Sequence, residues 1–234
     1  MDKKKIVFLT GAGVSKESGI DTFRDAGGLW EGHDVMEVAS FSGWKKDKTK
    51  VLEFYNRRRN QLEDVEPNEA HKIIAELEND FNVVVVTQNV DDLHERGGST
   101  NIIHLHGELK KMCSSRDKEL TLPYDKEIRV GDKHEDGSQL RPFIVWFEED
   151  VPLLTKGTIQ VMSADVLVIV GTSLNVYPAA GLTDYAKHGC EIYYIDPSPV
   201  VTSLSASKNF TTIRKVATEG MKELKELLLN KTIK

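Results

Sequence analysis

The stretch KIVFLTGAGVSKESGI, residues 5–20, decides the fold. Ile6 to Leu9 form an apolar run, and Thr10 leads straight into Gly11, Ala12 and Gly13. An apolar strand that stops at paired glycines and passes into a helix is the opening unit of a nucleotide-binding α/β sheet. Gly11 and Gly13 let the backbone approach a phosphate closely, and the helix start beyond them offers N–H donors and a favourable dipole. Ser15 adds a hydroxyl. The spacing then breaks with the dinucleotide fingerprint, because Lys16 stands where the third glycine of G-x-G-x-x-G belongs. A second glycine-bearing stretch, SGIDTFRDAGGLW (18–30), follows and reads as a lid over a ligand. It carries Asp21, Phe23 and Arg24. Arg24 suits a phosphate or carboxylate, and Phe23 suits shielding of a reactive carbon from water.

Outward from this unit, further short apolar runs recur: NVVVVT (82–87), NIIHLHG (101–107), DVLVIVGTS (165–173) and EIYYID (191–196). Unbroken Val/Ile runs predict strands buried on both faces, hence a parallel sheet. Helical patterns separate them: KVLEFYNRRRNQLE (50–63), PNEAHKIIAELEND (67–80), AAGLTDYAKHG (179–189) and EGMKELKELLL (219–229). The class is therefore α/β, a Rossmann-like doubly wound parallel sheet in a single domain over 1–234. Residues 110–140, KKMCSSRDKELTLPYDKEIRVGDKHEDGSQL, break the alternation and are too long for a plain connection. They predict a small inserted lobe, with insertions at about 24–65 and 108–142.

Composition narrows the class. Of 234 residues, 39% are hydrophobic and 29% charged, which argues against general disorder. A formal charge of −6 argues against a nucleic-acid binder. Two cysteines, Cys113 and Cys190, make no disulfide framework and suit a reducing compartment. No apolar run reaches the roughly 18 residues of a membrane span. The expectation is a cytoplasmic, membrane-free protein, and a monomer.

Polar residues gather where open α/β sheets bind ligands. Gln88, Asn89 and Asp91 follow the second strand, although helix capping would also use Asn89 or Asp91. His104 and His106 are two apart and are expected on one face of a strand. That suits either a metal pair or one packed histidine and one general base, with His106 nearer solvent.

GAGVSKESGIDTFR (11–24), TQNVDDLH (87–94), HLHGEL (104–109), RPFIVWFEE (141–149), GTSLNVYPAA (171–180) and IDPSP (195–199) occur in the order and spacing of the sirtuin family, which the chain resembles over nearly its whole length. The resemblance implies an NAD-dependent protein-lysine deacylase with a Rossmann-like domain and a smaller lobe. It implies that Gly11, Ala12, Gly13, Ser15, Asp21, Phe23 and Arg24 line the pyrophosphate and nicotinamide-ribose region of NAD. Gln88 is then the ribose contact, and Asn89 and Asp91 the nicotinamide contacts. His106 is implied as the base, with Asn89 beside it. Gly171, Thr172, Ser173, Asp196 and Ala217 fall along the phosphates and adenosine. Val145, Trp146, Phe147 and Glu149 would flank an acyl-lysine protein or peptide. The implied products are lysine, nicotinamide and O-acyl-ADP-ribose. ADP-ribosyl transfer, NAD hydrolysis, a non-catalytic NAD or ADP-ribose-binding module and, remotely, a metal hydrolase stay open.

Three departures or variations sharpen the expectation. Tyr55 and Arg58, three apart on a helix, resemble the Tyr-x-x-Arg pair of the branch that removes succinyl and malonyl groups, with small Ala26 agreeing; a solvated basic face at Arg57–Arg59 is the alternative. The zinc cysteines of the family are missing: Cys113 matches one, Arg116 stands at its partner, and GDKHEDG (131–137) holds none. His134 and Asp136 are weak substitutes, so the expectation is a zinc-free lobe packed on Leu120, Leu122, Tyr124 and Ile128. Glu148 stands where the family usually has glycine, beside the peptide clamp.

Overall fold

The computed structural model describes residues 3–21, 29–30, 32–198 and 209–232. Phe23, Arg24 and Ala26, expected to act at the ligand, lie outside the described residues. In chain order the strands are β1 Lys5–Thr10, β2 Leu29–Trp30, β3 His33–Asp34, β4 Asn82–Thr87, β5 Ile102–His104, β6 Gly107–Ser114, β7 Thr121–Pro123, β8 Leu140–Ile144, β9 Val166–Val170, β10 Glu191–Ile195 and β11 Phe210–Ile213. The helices are α1 Val35–Val38, α2 Phe41–Lys46, α3 Lys48–Gln61, α4 Glu69–Glu76, α5 Leu93–Arg96, α6 Leu154–Met162 and α7 Ala217–Thr232.

Six strands form one parallel sheet in the order β11-β10-β9-β1-β4-β5. Alternate residues face opposite sides, and both sides are covered. Ile6, Phe8, Val83, Val85, Val166 and Val168 pack with α4 and α7, through Ile73, Ile74, Met221 and Leu224. Val7, Leu9, Val84, Val86, Leu167 and Ile169 pack with Val161 of α6 and with Leu182. This two-sided burial explains the unbroken apolar runs. Each such side chain contributes about 1.5–3 kcal/mol by leaving water.

The chain leaves β1 toward β4 and β5, then returns across the sheet to β9, β10 and β11. The strand order therefore reverses between β1 and β9, and the crevice beyond their carboxyl ends is the ligand position of an open α/β sheet.

The smaller lobe has its own core. Trp44, Val51, Leu52, Phe54 and Tyr55 pack with Leu109, Ile128, Leu140 and Trp146. Its antiparallel sheet runs β7-β6-β8, with a register shift between Glu108 and Met112. Ile128 is buried as expected, and Tyr124 packs at the edge. Leu120 and Leu122 correct the expectation: they are 42% and 39% exposed, because Leu122 sits on, and Leu120 just before, the three-residue edge strand β7.

Two local readings also change. The helical stretch at 179–189 is a 3₁₀ helix that ends earlier than expected, at Tyr185. His104 and His106 do not share a strand face, since β5 ends at His104 and their rings meet different partners.

Candidate active site

Two glycine turns meet at the reversal point. Gly13 N–H donates to the Gly171 carbonyl at 2.8 Å. A Cβ on Gly13 would sit 2.7 Å from the Gly171 Cα, and one on Gly11 2.7 Å from the Thr172 Cβ. Gly171 itself has φ +64°, the left-handed region that favours glycine. The turns are thus packed main chain against main chain, and Gly11, Ala12, Gly13, Gly171, Thr172 and Ser173 line one end of a cavity of about 390 Å³. That is a volume suited to a small ligand. Asp21, Asp196 and Ala217 line the same cavity.

Behind this end stands a buried polar network. Asn89 Nδ2 donates to Ser15 Oγ at 3.1 Å, and Ser15 Oγ donates to Asp91 Oδ2 at 3.0 Å. Ser15 is fully buried and reaches the cavity only through Asn89 and Asp91, both of which line it. Burial pushes the Asp91 carboxyl above its ordinary value, opposed by hydrogen bonds from Leu93 N and Ser15. Thr10 Oγ1 donates to Thr87 Oγ1 at 2.8 Å and lies 3.1 Å from His94 Nε2. Thr87 Oγ1 accepts from Asn89 N at 3.0 Å. Gln88 Nε2 donates to Thr172 Oγ1 at 3.1 Å, tying the two sides of the crevice.

His106 lies beyond the end of β5 and lines the cavity. Its Nδ1 donates to the Gln88 carbonyl at 3.0 Å, which leaves Nε2 with the lone pair. Burial lowers its pKa below the ordinary histidine value, opposed by the Gln88 hydrogen bond. The ring is therefore neutral and basic at pH 7. His104 instead spans the Asn89 carbonyl at 3.1 Å and Glu95 Oε1 at 2.7 Å. Its role is to brace the backbone of Asn89.

The other end of the cavity belongs to the lobe. Tyr55 and Arg58 line it from α3 and are 1% and 6% exposed. The basic run is not a solvated face: only Arg57 is exposed, while Arg59 donates to Leu109 O, Asn56 Oδ1 and Lys126 O. Burial raises the Tyr55 pKa, so the phenol stays protonated as a donor. Its hydroxyl has no hydrogen-bond partner among the described residues.

Val145, Trp146, Phe147 and Glu149 all border the cavity, with different duties. Val145 N donates to the His106 carbonyl at 2.9 Å. Phe147 is half-exposed and forms the rim. Trp146 is buried under the Arg141 guanidinium, 3.5 Å above its ring. Glu149 accepts two hydrogen bonds from Arg141, at 2.8 and 3.0 Å, and pairs with Lys118 at 2.8 Å. Its carboxylate is a brace, directed into the lobe.

Residues 11–178 match the Sir2 family. An NAD-dependent protein deacylase of Bacteroides thetaiotaomicron is 56% identical over 233 residues, covering 97% of this chain and 98% of that relative. The chain belongs to the Sir2 family. A solved Sir2 homologue–NAD complex superposes with a TM-score of 0.85 at 38% identity, covering 97% of this chain and 90% of the other. A Sir2–p53 peptide–NAD+ complex gives 0.78 at 26% identity, covering 96% and 93%.

Within this Sir2 chain the glycine turns fit NAD: the interlock leaves no room for side chains where a dinucleotide backbone approaches. The four-cysteine zinc pattern is missing, and hydrogen bonds hold the corresponding lobe. Beside Cys113, Ser114 Oγ donates to Asp136 Oδ2 at 2.6 Å, and Ser138 N donates to Asp136 Oδ1 at 2.9 Å. The backbone N–H groups of Arg116 and Asp117 donate to Ser114 Oγ. Cys190 lies in the core beneath the parallel sheet.

Sequence reasoning missed Thr10, Thr87, His94 and Arg141. His94 and Thr87 sit inside TQNVDDLH, but Thr10, which joins them, lies 84 and 77 residues away along the chain, and such a separation carries no spacing signal. Arg141 reads as a loop charge until its partner is seen.

Proposed function

We infer that the protein is an NAD-dependent protein-lysine deacylase that takes acetyl and acidic acyl groups, succinyl and malonyl. One observation carries the reading: a neutral His106, oriented by Gln88, shares one cavity with the glycine turns and with Tyr55 and Arg58. When bound, NAD supplies an electrophilic ribose carbon, nicotinamide as leaving group and the hydroxyl that receives the acyl group. Acyl-lysine, NAD and water become lysine, nicotinamide and O-acyl-ADP-ribose.

The chain's own groups divide the work. Gly11, Gly13 and Gly171 present backbone at the diphosphate. Asn89 and Asp91, held through Ser15, orient the nicotinamide end. His106 Nε2 accepts a ribose hydroxyl proton, which a neutral imidazole does near pH 7. Arg58 and the Tyr55 hydroxyl face an acyl carboxylate as charge-assisted and neutral donors.

The test incubates NAD with acetyl-, succinyl- and malonyl-lysine peptides and weighs the O-acyl-ADP-ribose formed. His106→Ala is expected to lose about 100-fold or more in kcat. Arg58→Met is expected to cut desuccinylation at least about tenfold more than deacetylation. Full turnover by His106→Ala defeats the base assignment, and equal loss of both activities in Arg58→Met defeats the acid-acyl pocket.

A further inference from the structure

The segment 145–149 leaves lobe strand β8 and runs along the cavity, and each of its residues is fixed differently. Val145 N reaches back to His106 O. Phe147 N donates to Ala39 O at 2.9 Å, and Phe41 N donates to Phe147 O at 3.1 Å. Glu149 is held by Arg141, Lys118 and the backbone of Trp146. Between them Glu148 has φ +72°, a left-handed conformation that favours glycine. Its side chain is exposed, so packing does not impose that conformation. What holds it is Ser42, just inside α2. Ser42 N donates to Glu148 Oε2 at 2.8 Å, and Ser42 Oγ donates to Oε1 at 3.0 Å. Ser40 Oγ lies 2.9 Å from Ser42 Oγ and accepts from Gly43 N, so the donors are themselves oriented.

We propose that Glu148 is a positioning residue for the acyl-peptide substrate, its carboxylate latching the cavity rim onto Ser42 of the small lobe. The proposal rests on the deacylase reading for its substrate, but the latch itself is a property of the free protein. A glycine at 148 would accept the backbone conformation freely but would remove the tie to Ser42, leaving the Phe147 bridge and the Glu149 ion pairs on either side of it. With glutamate, both oxygens take up the two donors of Ser42, and Phe147 is held between two anchored neighbours. The substrate that benefits is the extended chain beside Phe147. The dinucleotide end, built on the turns at Gly13 and Gly171, is not touched by either partner.

Two measurements test this. In the free protein, hydrogen–deuterium exchange of the Ser42 amide is expected to quicken about tenfold in Glu148→Ala and much less in Glu148→Gln, which keeps an acceptor. In turnover, Glu148→Ala and Glu148→Gly are both expected to raise peptide KM about tenfold, at least five times more than they lower kcat, while KM for NAD moves less than about twofold. Glu148→Gln should recover most of the loss. Wild-type peptide KM in Glu148→Gly, or unchanged Ser42 exchange in Glu148→Ala, overturns the latch. A wild-type protein that turns over no acyl peptide, yet shows the exchange effect, defeats the deacylase reading and leaves the latch standing.

Discussion

The two ends of the cavity are built from different materials. Beneath β1 and β9 it is main chain: Gly11, Gly13 and Gly171 touch with no side chain between them, and hydrogen bonds of Asn89, Ser15 and Asp91 lie behind. Inside the lobe it is side chain: Arg59 and Arg141 each reach several acceptors, Asn56 pairs with both backbone groups of Ile128, and Ser114 and Asp136 interlock. The first end gains its shape from a six-stranded sheet with two covered faces. The second stands on a three-stranded sheet with an exposed edge and needs polar braces. The lesson is that a small lobe lacking the four-cysteine zinc pattern is held by buried, multiply bonded side chains.

The sharpest way to break the contrast is to remove a brace. Glu149→Ala leaves the Arg141 guanidinium, 1% exposed, without its carboxylate. A loss of about 3–5 kcal/mol is expected in urea unfolding, with the lobe's tryptophan signal moving first. A loss under about 1 kcal/mol would mean that Trp146 stacking and the Ile144 carbonyl suffice to hold Arg141.

Acid acts on the other end. Burial lowers the His71 pKa from 6.5 to about 4, and burial also holds His94 well below its ordinary value. Both rings are neutral in the folded protein, so the unfolded chain binds more protons below pH 6.5. Stability is therefore full above that pH and declines as pH falls toward 4, by about 3 kcal/mol for His71 alone. His104, whose pKa is raised by Glu95 against burial, runs the opposite way and offsets part of it. Urea midpoints at pH 7 and 4.5, repeated on His71→Asn, check the sign: the variant should lose part of the slope and keep the share set by His94.

Gly13→Ala tests the main-chain end. The added methyl meets Gly171 at 2.7 Å, so the turns must part, at a cost of about 1–3 kcal/mol. NAD affinity should fall at least about tenfold while lobe unfolding is unchanged. The smallest expected effect comes from chelation. Incubation with a strong zinc chelator should leave Tm within about 1 °C, whereas a zinc-held lobe would lose several kcal/mol.

Legibility follows the same division. The turn at 11–13, the strand ends at Gln88 and Gly171 and the parallel sheet were readable, because local spacing and unbroken Val/Ile runs encode them. His106 was readable as a cavity-lining residue, although its supposed alignment with His104 failed once β5 ended one residue pair earlier. The lobe was legible only in outline. Leu120 and Leu122 look like core in an aperiodic stretch, but an edge strand leaves them in water. Glu149 was read as a peptide contact; the partners that turn it inward, Arg141 and Lys118, lie 8 and 31 residues away, and nothing in the spacing reveals the pairing.

The contact between the Gly13 and Gly171 turns has a consequence for how this chain can diverge. Bond lengths and peptide planes set the gauge of that slot, so no choice of rotamer can widen or narrow it. The lobe end, built of side chains, can be reshaped residue by residue while that slot keeps its gauge.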